Sequence, residues 1–260
     1  MELGLKGRRA IVSAASRGLG RACAFSLAKE GVDLVLNARS ADALEATAEE
    51  IREATGVSVT TVATDYNTVE GREEILAKGG EVDILVANPG VRQIPGEYED
   101  WTRADWDQWF DVHFYSSLEM ITGVLPGMRE RKFGRVVNIS VSFIKFPQPH
   151  FAHSHSARLA LSGAIASLVK ETVRDNVTIN TVCPGFFDTD ALHTNLHNHA
   201  KRGNTTYEAI VENRVQSVPA GRFADPSECG DLVAFLSSAQ AGFIVGQNII
   251  NDGGVYQGLF

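Results

Sequence analysis

Residues 10–31, reading AIVSAASRGLGRACAFSLAKEG, constrain this chain more than any other stretch. Ala10, Ile11 and Val12 end a short apolar run, and the small, polar Ser13-Ala14-Ala15-Ser16 follows at once, the pattern of a buried strand emptying into a loop. Gly18 and Gly20 then remove Cβ atoms where a helix begins, and Leu19, Ala22, Cys23, Phe25, Ser26 and Leu27 give that helix a face suited to a sheet. A strand, a glycine-bearing turn and a helix N-terminus aim backbone N–H groups and a positive dipole end at one point, which favours a phosphate. The expected occupant is a cofactor with a pyrophosphate. In the plainer reading the glycines only let a helix pack closely on a strand, and the rest of the chain has to decide.

At 260 residues, with no Pro- or Ser-rich linker, the sequence suits one α/β domain over residues 1–260. The net charge of -8 and the absence of any basic run longer than two residues argue against nucleic acid or an anionic membrane surface as a partner. The opening MELGLKGRR is too poor in apolar residues for a signal peptide, and no apolar run approaches a spanning helix. Cys23, Cys183 and Cys229 are odd in number and far apart, so neither a disulfide framework nor a thiolate metal site is expected. These features predict a soluble, cytoplasmic protein.

Periodicity predicts further strands at 32–38, 57–63, 82–87, 135–140, 177–182 and 243–250. Helices are expected at 42–55, 69–78, 156–174 and 226–237, with a tryptophan-rich helical stretch at 101–131 that Pro126 should break or kink. Alternating strand and helix give a doubly wound parallel sheet with helices on both faces, a Rossmann-type fold whose ligands belong at the carboxyl ends of the strands. Arg39 follows the second strand, and Asn37 and Ala38 stand where an acid would bind a free ribose 2′-hydroxyl. Arg39 and Arg17 are suited to a 2′-phosphate, which favours NADP(H) over NAD(H). Asp65 and Tyr66 end the third strand, and Asn88-Pro89-Gly90 the fourth.

With these residues in hand the chain resembles the short-chain dehydrogenase/reductase superfamily over essentially its whole length. Ser13 to Gly20 (SAASRGLG) stands for the family's Thr-Gly-x-x-x-Gly-x-Gly, Asp65 for its adenine-binding Asp, and Ala87-Asn88-Pro89-Gly90 for Asn-Asn-Ala-Gly. Residues 134–140 (GRVVNIS), 180–189 (NTVCPGFFDT) and Asp252-Gly253-Gly254 continue the likeness in order, and the opening LGLKG is similar to the 3-oxoacyl-(acyl carrier protein) reductase-like branch. The resemblance implies Ser13, Ser16, Arg17, Gly18, Leu19 and Gly20 around the phosphates, Asp65 and Tyr66 at adenine, and Asn88, Pro89 and Gly90 beside the ribose. It further implies Pro184, Gly185, Phe187 and Thr189 flanking the nicotinamide, a substrate lid at about 188–217, and a homo-oligomer, tetramer or dimer, to which the apolar 223–260 tail would contribute. Ala14 replaces the motif's first glycine and Ala87 its first asparagine.

The family's proton chemistry rests on a tyrosine, a lysine four residues later, a serine that binds the substrate oxygen and an asparagine that sustains a relay. An ungapped reading from Gly134-Arg135 places Ser154 at the tyrosine, Arg158 at the lysine, Val141 at the serine and His113 at the asparagine. Arg158 keeps the positive charge and suits a ribose hydroxyl, whereas Ser154 is a feeble acid without a base beside it. Ser140 and Ser142 flank Val141, and a one-residue shift would return a hydroxyl to the substrate. Histidine is the residue type best suited to replace the phenol, and His150, His153, His155 and His113 are the candidates to pair with Ser154. Equally, His113 could fill space and the others be loop residues at the mouth. His193, His197 and His199 have a spacing that a polar lid explains as well as a metal would, and no metal is expected.

The first expectation is a divergent NADP(H)-dependent oxidoreductase on a small carbonyl or hydroxy compound, using Ser154, Arg158 and His113, with Ser140 and His153 as further candidates. A lyase, hydrolase or dehalogenase-like enzyme on the same fold is the alternative, and a catalytically silent nucleotide-binding protein the next. Phe143, Phe146, Phe151, Phe186 and Phe187 suggest an apolar pocket wall.

Overall fold

The apolar runs become strands β1 (Arg9–Val12), β2 (Asp33–Ala38), β3 (Val59–Ala63), β4 (Ile84–Ala87), β5 (Gly134–Ile139), β6 (Val177–Pro184) and β7 (Asn248–Asn251). They pair in the order β3-β2-β1-β4-β5-β6-β7, each parallel to its neighbours. This computed structural model describes residues 2–90 and 97–259. Between the strands run α1 (Gly18–Lys29), α2 (Ala41–Thr55), α3 (Val69–Gly79), α4 (Arg103–Phe110), α5 (Ser116–Glu130), α6 (Ala152–Thr172), α7 (Asp190–Arg202), α8 (Tyr207–Gln216) and α9 (Pro226–Ser237). The expected single-domain sheet with helices on both faces is what the chain forms.

Alternation along each strand feeds two cores. Ala10 and Val12 point to the layer of α1, α2 and α9, where Leu27, Leu44, Ile51 and Val233 close the core. Ile11 points the other way, to α3, α5 and α6, among Ile75, Met120, Ile121, Leu161 and Ile165. Burial on both faces is why these strands read as unbroken apolar runs. Between β1 and β4 the chain reverses its direction of travel across the sheet, which opens a crevice at their carboxyl ends.

Three elements depart from the periodicity. Helix α6 begins at Ala152, four residues ahead of the expected 156. The reason is that His153, which a hydropathy pattern counts as polar, is 1% exposed and packs like an aromatic core residue. The tryptophan-rich stretch begins at Arg103 after a Thr102–Asp105 capping box, widens to a π-helical turn at Asp111–Tyr115, and then runs through Pro126 to Glu130. Strand β7 is shorter than 243–250 because Gly246, at φ +69°, turns the chain just before it. Phe260 of the apolar tail lies outside the described residues.

The turn between β1 and α1 is set by one close approach. A Cβ on Gly20 would lie 2.2 Å from the Ala14 carbonyl oxygen, so the helix rests directly on backbone and only glycine fits. Ala14 itself holds φ +50°, a left-handed conformation that costs a residue with a Cβ about 1 kcal/mol. Ala14→Gly should therefore stabilise the protein by about 1 kcal/mol, or about 2 °C in Tm by calorimetry. Gly20→Ala should abolish soluble folded protein.

Candidate active site

The carboxyl ends of β1 and β4 are tied by a single hydroxyl. Ser13 Oγ lies 3.2 Å from the carbonyl oxygens of both Val86 and Asn88 and accepts a hydrogen bond from the Asn88 N–H at 2.7 Å. This holds Asn88, Pro89 and Gly90 at the crevice opposite the α1 turn. No side chain caps α1 at Arg17, so its first-turn N–H groups face the crevice uncapped. Ser16, Gly18 and Leu19 lie on this turn, with Ser16 half-buried and its carbonyl accepting from Thr47. Thr189 stands 3.7 Å from where a Gly18 Cβ would be and caps α7 by accepting from Leu192 N–H at 3.3 Å. The structure therefore gathers the β1 turn, the β4 tip and the loop after β6 around one cradle suited to a pyrophosphate.

At the far end, Arg17 and Arg39 are exposed and have no ion-pair partner among the described residues. Asn37 is buried, and its Nδ2 donates to Val62 O at 2.9 Å and Thr64 O at 3.0 Å, fixing the β3 tip beside them. Asp65 accepts the Asn67 N–H at 2.9 Å. The side chain of Tyr66, expected at adenine, does not point into the crevice. Its ring is 5% exposed, sits in the core beneath the sheet, and burial outweighs Ser117 and Ser13 to push its phenol up to about 12. Phe187 also turns into the core, 3% exposed, because its backbone bridges to Ala224 and commits its side chain inward. Gly185 is required where it stands, since a Cβ would meet Asp252 at 2.6 Å.

The chemistry-bearing residues lie on the first turns of α6. Ser154 and Arg158 share a helix face at i,i+4 spacing, and Arg158 Nε–H donates to Ser154 Oγ at 3.2 Å. Arg158 Nη1–H reaches Ile139 O at the tip of β5 at 3.4 Å, and no carboxylate pairs with it among the described residues. Burial lowers its pKa to about 10, which leaves it charged at neutral pH. Beside it Ser140 is 4% exposed, its Oγ without a hydrogen-bond partner among the described residues.

The structure does not bring His153 to Ser154. One residue along a helix is a turn of about 100°, and His153 points instead into a cage of Trp101, Trp106 and Trp109, with ring centroids at 3.9, 4.2 and 6.2 Å. These are all three tryptophans of the chain. Neither ring nitrogen has a hydrogen-bond partner among the described residues, and burial holds the pKa below the usual histidine value against a smaller opposing pull from Asp105. His113, 1% exposed in the π-helical turn, packs on Trp109 at 5.1 Å. His155 stacks on Phe151 at 6.0 Å, and its pKa is lowered by burial and then by Arg158. His150 is exposed, 3.3 Å from Glu97.

Helices α7 and α8 occupy the expected lid segment. His193 there is fully engaged, Nδ1 with Tyr207 Oη and Nε2 with Asp188, both at 2.5 Å, and His197 stacks on Tyr207 at 3.9 Å. Sequence reasoning found these histidines but not Tyr207, whose role depends on the turn that folds α8 back onto α7. It also missed Arg214, whose Cζ lies 4.7 Å over the Phe186 ring.

Comparison with known proteins agrees with this architecture. The family model described as enoyl-(acyl carrier protein) reductase matches residues 13–256. The chain belongs to the short-chain dehydrogenase/reductase family. An uncharacterized oxidoreductase of Bacillus subtilis, YvaG, is 33% identical, with 100% of both chains covered. A 3-oxoacyl-(acyl carrier protein) reductase of Vibrio harveyi is 31% identical over 98% of this chain and 99% of that one. The crystal structure of L-sorbose reductase from Gluconobacter frateurii, complexed with NADPH and L-sorbose, superposes with a TM-score of 0.93 at 28% identity, covering 100% of each chain.

The tryptophan cage has a consequence for pH. A histidine whose folded pKa is depressed leaves stability intact above its unfolded pKa, near 6.5, and loses it as pH falls below that, by at most about 1.4 kcal/mol per pH unit. His153→Phe should therefore flatten the fall in Tm between pH 7 and pH 5. An unchanged pH profile in the variant would show that the cage does not hold a neutral ring.

Proposed function

We propose that this chain is an NADP(H)-dependent oxidoreductase that interconverts a small carbonyl compound and its alcohol through an active site built on Ser154 and Arg158. The observation that carries this reading is the Arg158-to-Ser154 hydrogen bond at 3.2 Å, on the positions that stand for the family's lysine and tyrosine. The cradle formed by the α1 turn, Asn88 and Thr189 fits the cofactor, and the NADPH in the L-sorbose reductase complex supports it. The exposed Arg17 and Arg39 suit a 2′-phosphate, and Asn37, committed to the β3 carbonyls, leaves no acid to oppose one.

When bound, NADPH supplies a hydride to the carbonyl carbon. The residues of this chain do the rest. Ser154 Oγ–H donates to the carbonyl oxygen and passes it a proton, recovering one from solvent, so that carbonyl, NADPH and a proton give alcohol and NADP⁺. Arg158 keeps its charge, steadies the oxygen of Ser154 as the proton leaves and would hold a hydroxyl of the nicotinamide ribose. The ring of His113 holds the Trp109 side of the site in place as a positioning residue. Such an alcohol is a poorer acid than a phenol, so a slow enzyme is expected.

Two measurements test this. NADPH fluorescence titration should show at least 10-fold tighter binding than NADH, a preference that Arg39→Ala removes. In a ketone-reduction assay Ser154→Ala should lower kcat at least 10-fold with NADPH affinity unchanged, whereas Arg158→Ala should weaken NADPH binding as well. An unaltered kcat in Ser154→Ala would discard the assignment, and NADPH binding with no turnover of any ketone or alcohol would leave a silent binding protein.

We also propose a homo-oligomer, because Phe243 is 100% and Leu259 91% exposed on the C-terminal part of the chain. Light scattering should give a dimeric or tetrameric mass that Phe243→Ser reduces; a monomeric wild type would refute it.

A further inference from the structure

Many of the arginines of this chain are engaged where they lie. Arg8, Arg21, Arg52, Arg72, Arg129 and Arg222 each face a carboxylate, and Arg135 directs its buried guanidinium to carbonyl oxygens of Gly134, Asn176 and Ser238. Arg214 has neither arrangement. It is half-buried on α8, its guanidinium lies over one face of Phe186, and no carboxylate pairs with it among the described residues. An aromatic face stabilises a guanidinium but uses none of its five N–H donors. A half-desolvated cation with its donors unspent is matched to an oxyanion that arrives from outside.

Its position says where that anion would belong. Phe186 follows Pro184 and Gly185, and its ring meets Phe143 at 6.0 Å. Phe143 in turn meets Phe146 at 5.2 Å and Phe151 at 6.0 Å, and Phe151 is the N-cap of α6, three residues before Ser154. A half-buried aromatic wall thus runs from Arg214 to the N-cap of α6, the helix that carries Ser154. Two further cations border it. Lys145 is exposed without an ion pair among the described residues, and Lys145 and Arg158 lie near enough to Cys183 for both charges to oppose the effect of burial on its thiol. The nearby acids are engaged, Asp188 with His193 and Asp252 with the N–H groups of Gly254 and Tyr256.

We propose that the substrate is an anionic carbonyl compound whose carboxylate or phosphate is bound by Arg214, with its carbonyl at Ser154 and its carbon skeleton along the Phe186 and Phe143 rings. The inference rests on the oxidoreductase reading and adds the substrate class. Arg214 is then the specificity-determining residue, and uncharged ketones are poor ligands.

The test is a binding titration on protein saturated with NADP⁺, which cannot reduce a carbonyl, read by tryptophan fluorescence and by thermal shift. Benzoylformate is compared with its methyl ester, and dihydroxyacetone phosphate with dihydroxyacetone. In at least one pair the anion should bind 10-fold or more tightly than its neutral partner, and that pair identifies the charged group as carboxylate or phosphate. Arg214→Gln should erase the difference without changing NADP⁺ affinity, and Arg214→Lys should restore part of it. Equal binding within both pairs, no binding of either anion at 10-fold the neutral compound's level, or an unaltered preference in Arg214→Gln would overturn the inference. Cofactor affinity is measured first: a protein that takes no NADP(H) defeats the oxidoreductase reading, and the anion titration then proceeds on cofactor-free protein with the same criteria.

Discussion

The contact on which the rest of the structure depends is backbone against backbone. Helix α1 lies so close to the turn after β1 that the Ala14 carbonyl oxygen would sit 2.2 Å from a Cβ at Gly20. This approach fixes where the helix N-terminus points, and therefore which side of the switch between β1 and β4 presents uncapped N–H groups. Ser13, one residue earlier, joins the two strand tips through its hydroxyl. The strain at Ala14, φ +50°, is borne because the helix, the strand and the β4 tip together leave that residue no other conformation.

The sheet was legible because strands buried on both faces are nearly continuous apolar runs, and the helices between them carry a clear periodic face. The N-terminus of α6 was not legible, for a reason local to one residue. His153 lies in a tryptophan cage, and no hydropathy scale counts a neutral, caged imidazole as apolar. Starting the helix early sets Ser154 and Arg158 on one face and His153 on another, so the imidazole expected beside the serine serves packing instead. The family resemblance places Tyr66 and Phe187 beside the cofactor, and the direction of a side chain in the loops after β3 and β6 cannot be read from one sequence. Arg214 gave no signal at all, since its partner Phe186 lies on another element.

The two halves of the site differ in how far they depart from the family. On the cofactor side the β1 turn, the β4 tip and the loop after β6 meet at the crevice, while Tyr66 and Phe187 turn their side chains into the core, and Ala14 holds a positive φ. On the proton side, in the proposed assignment, an alcohol and a guanidinium held together by one hydrogen bond stand for a phenol and an ammonium. A guanidinium of pKa about 10 remains a cation at neutral pH, so the pair retains the electrostatics of the family arrangement and changes its acidity.

Asn37 bears on any attempt to redesign cofactor choice. An acid at the end of β2 is the familiar route from a phosphorylated to an unphosphorylated ribose. Here the Asn37 amide is spoken for, since Nδ2 donates to both the Val62 and the Thr64 carbonyls. An aspartate in its place would set a carboxylate against two carbonyl oxygens in a buried pocket and loosen the β3 tip that carries Asp65. The selectivity of this scaffold is thus welded to its architecture at position 37, and since Ala38 is buried in the core as well, an engineer would have to work at Arg39, whose side chain is exposed.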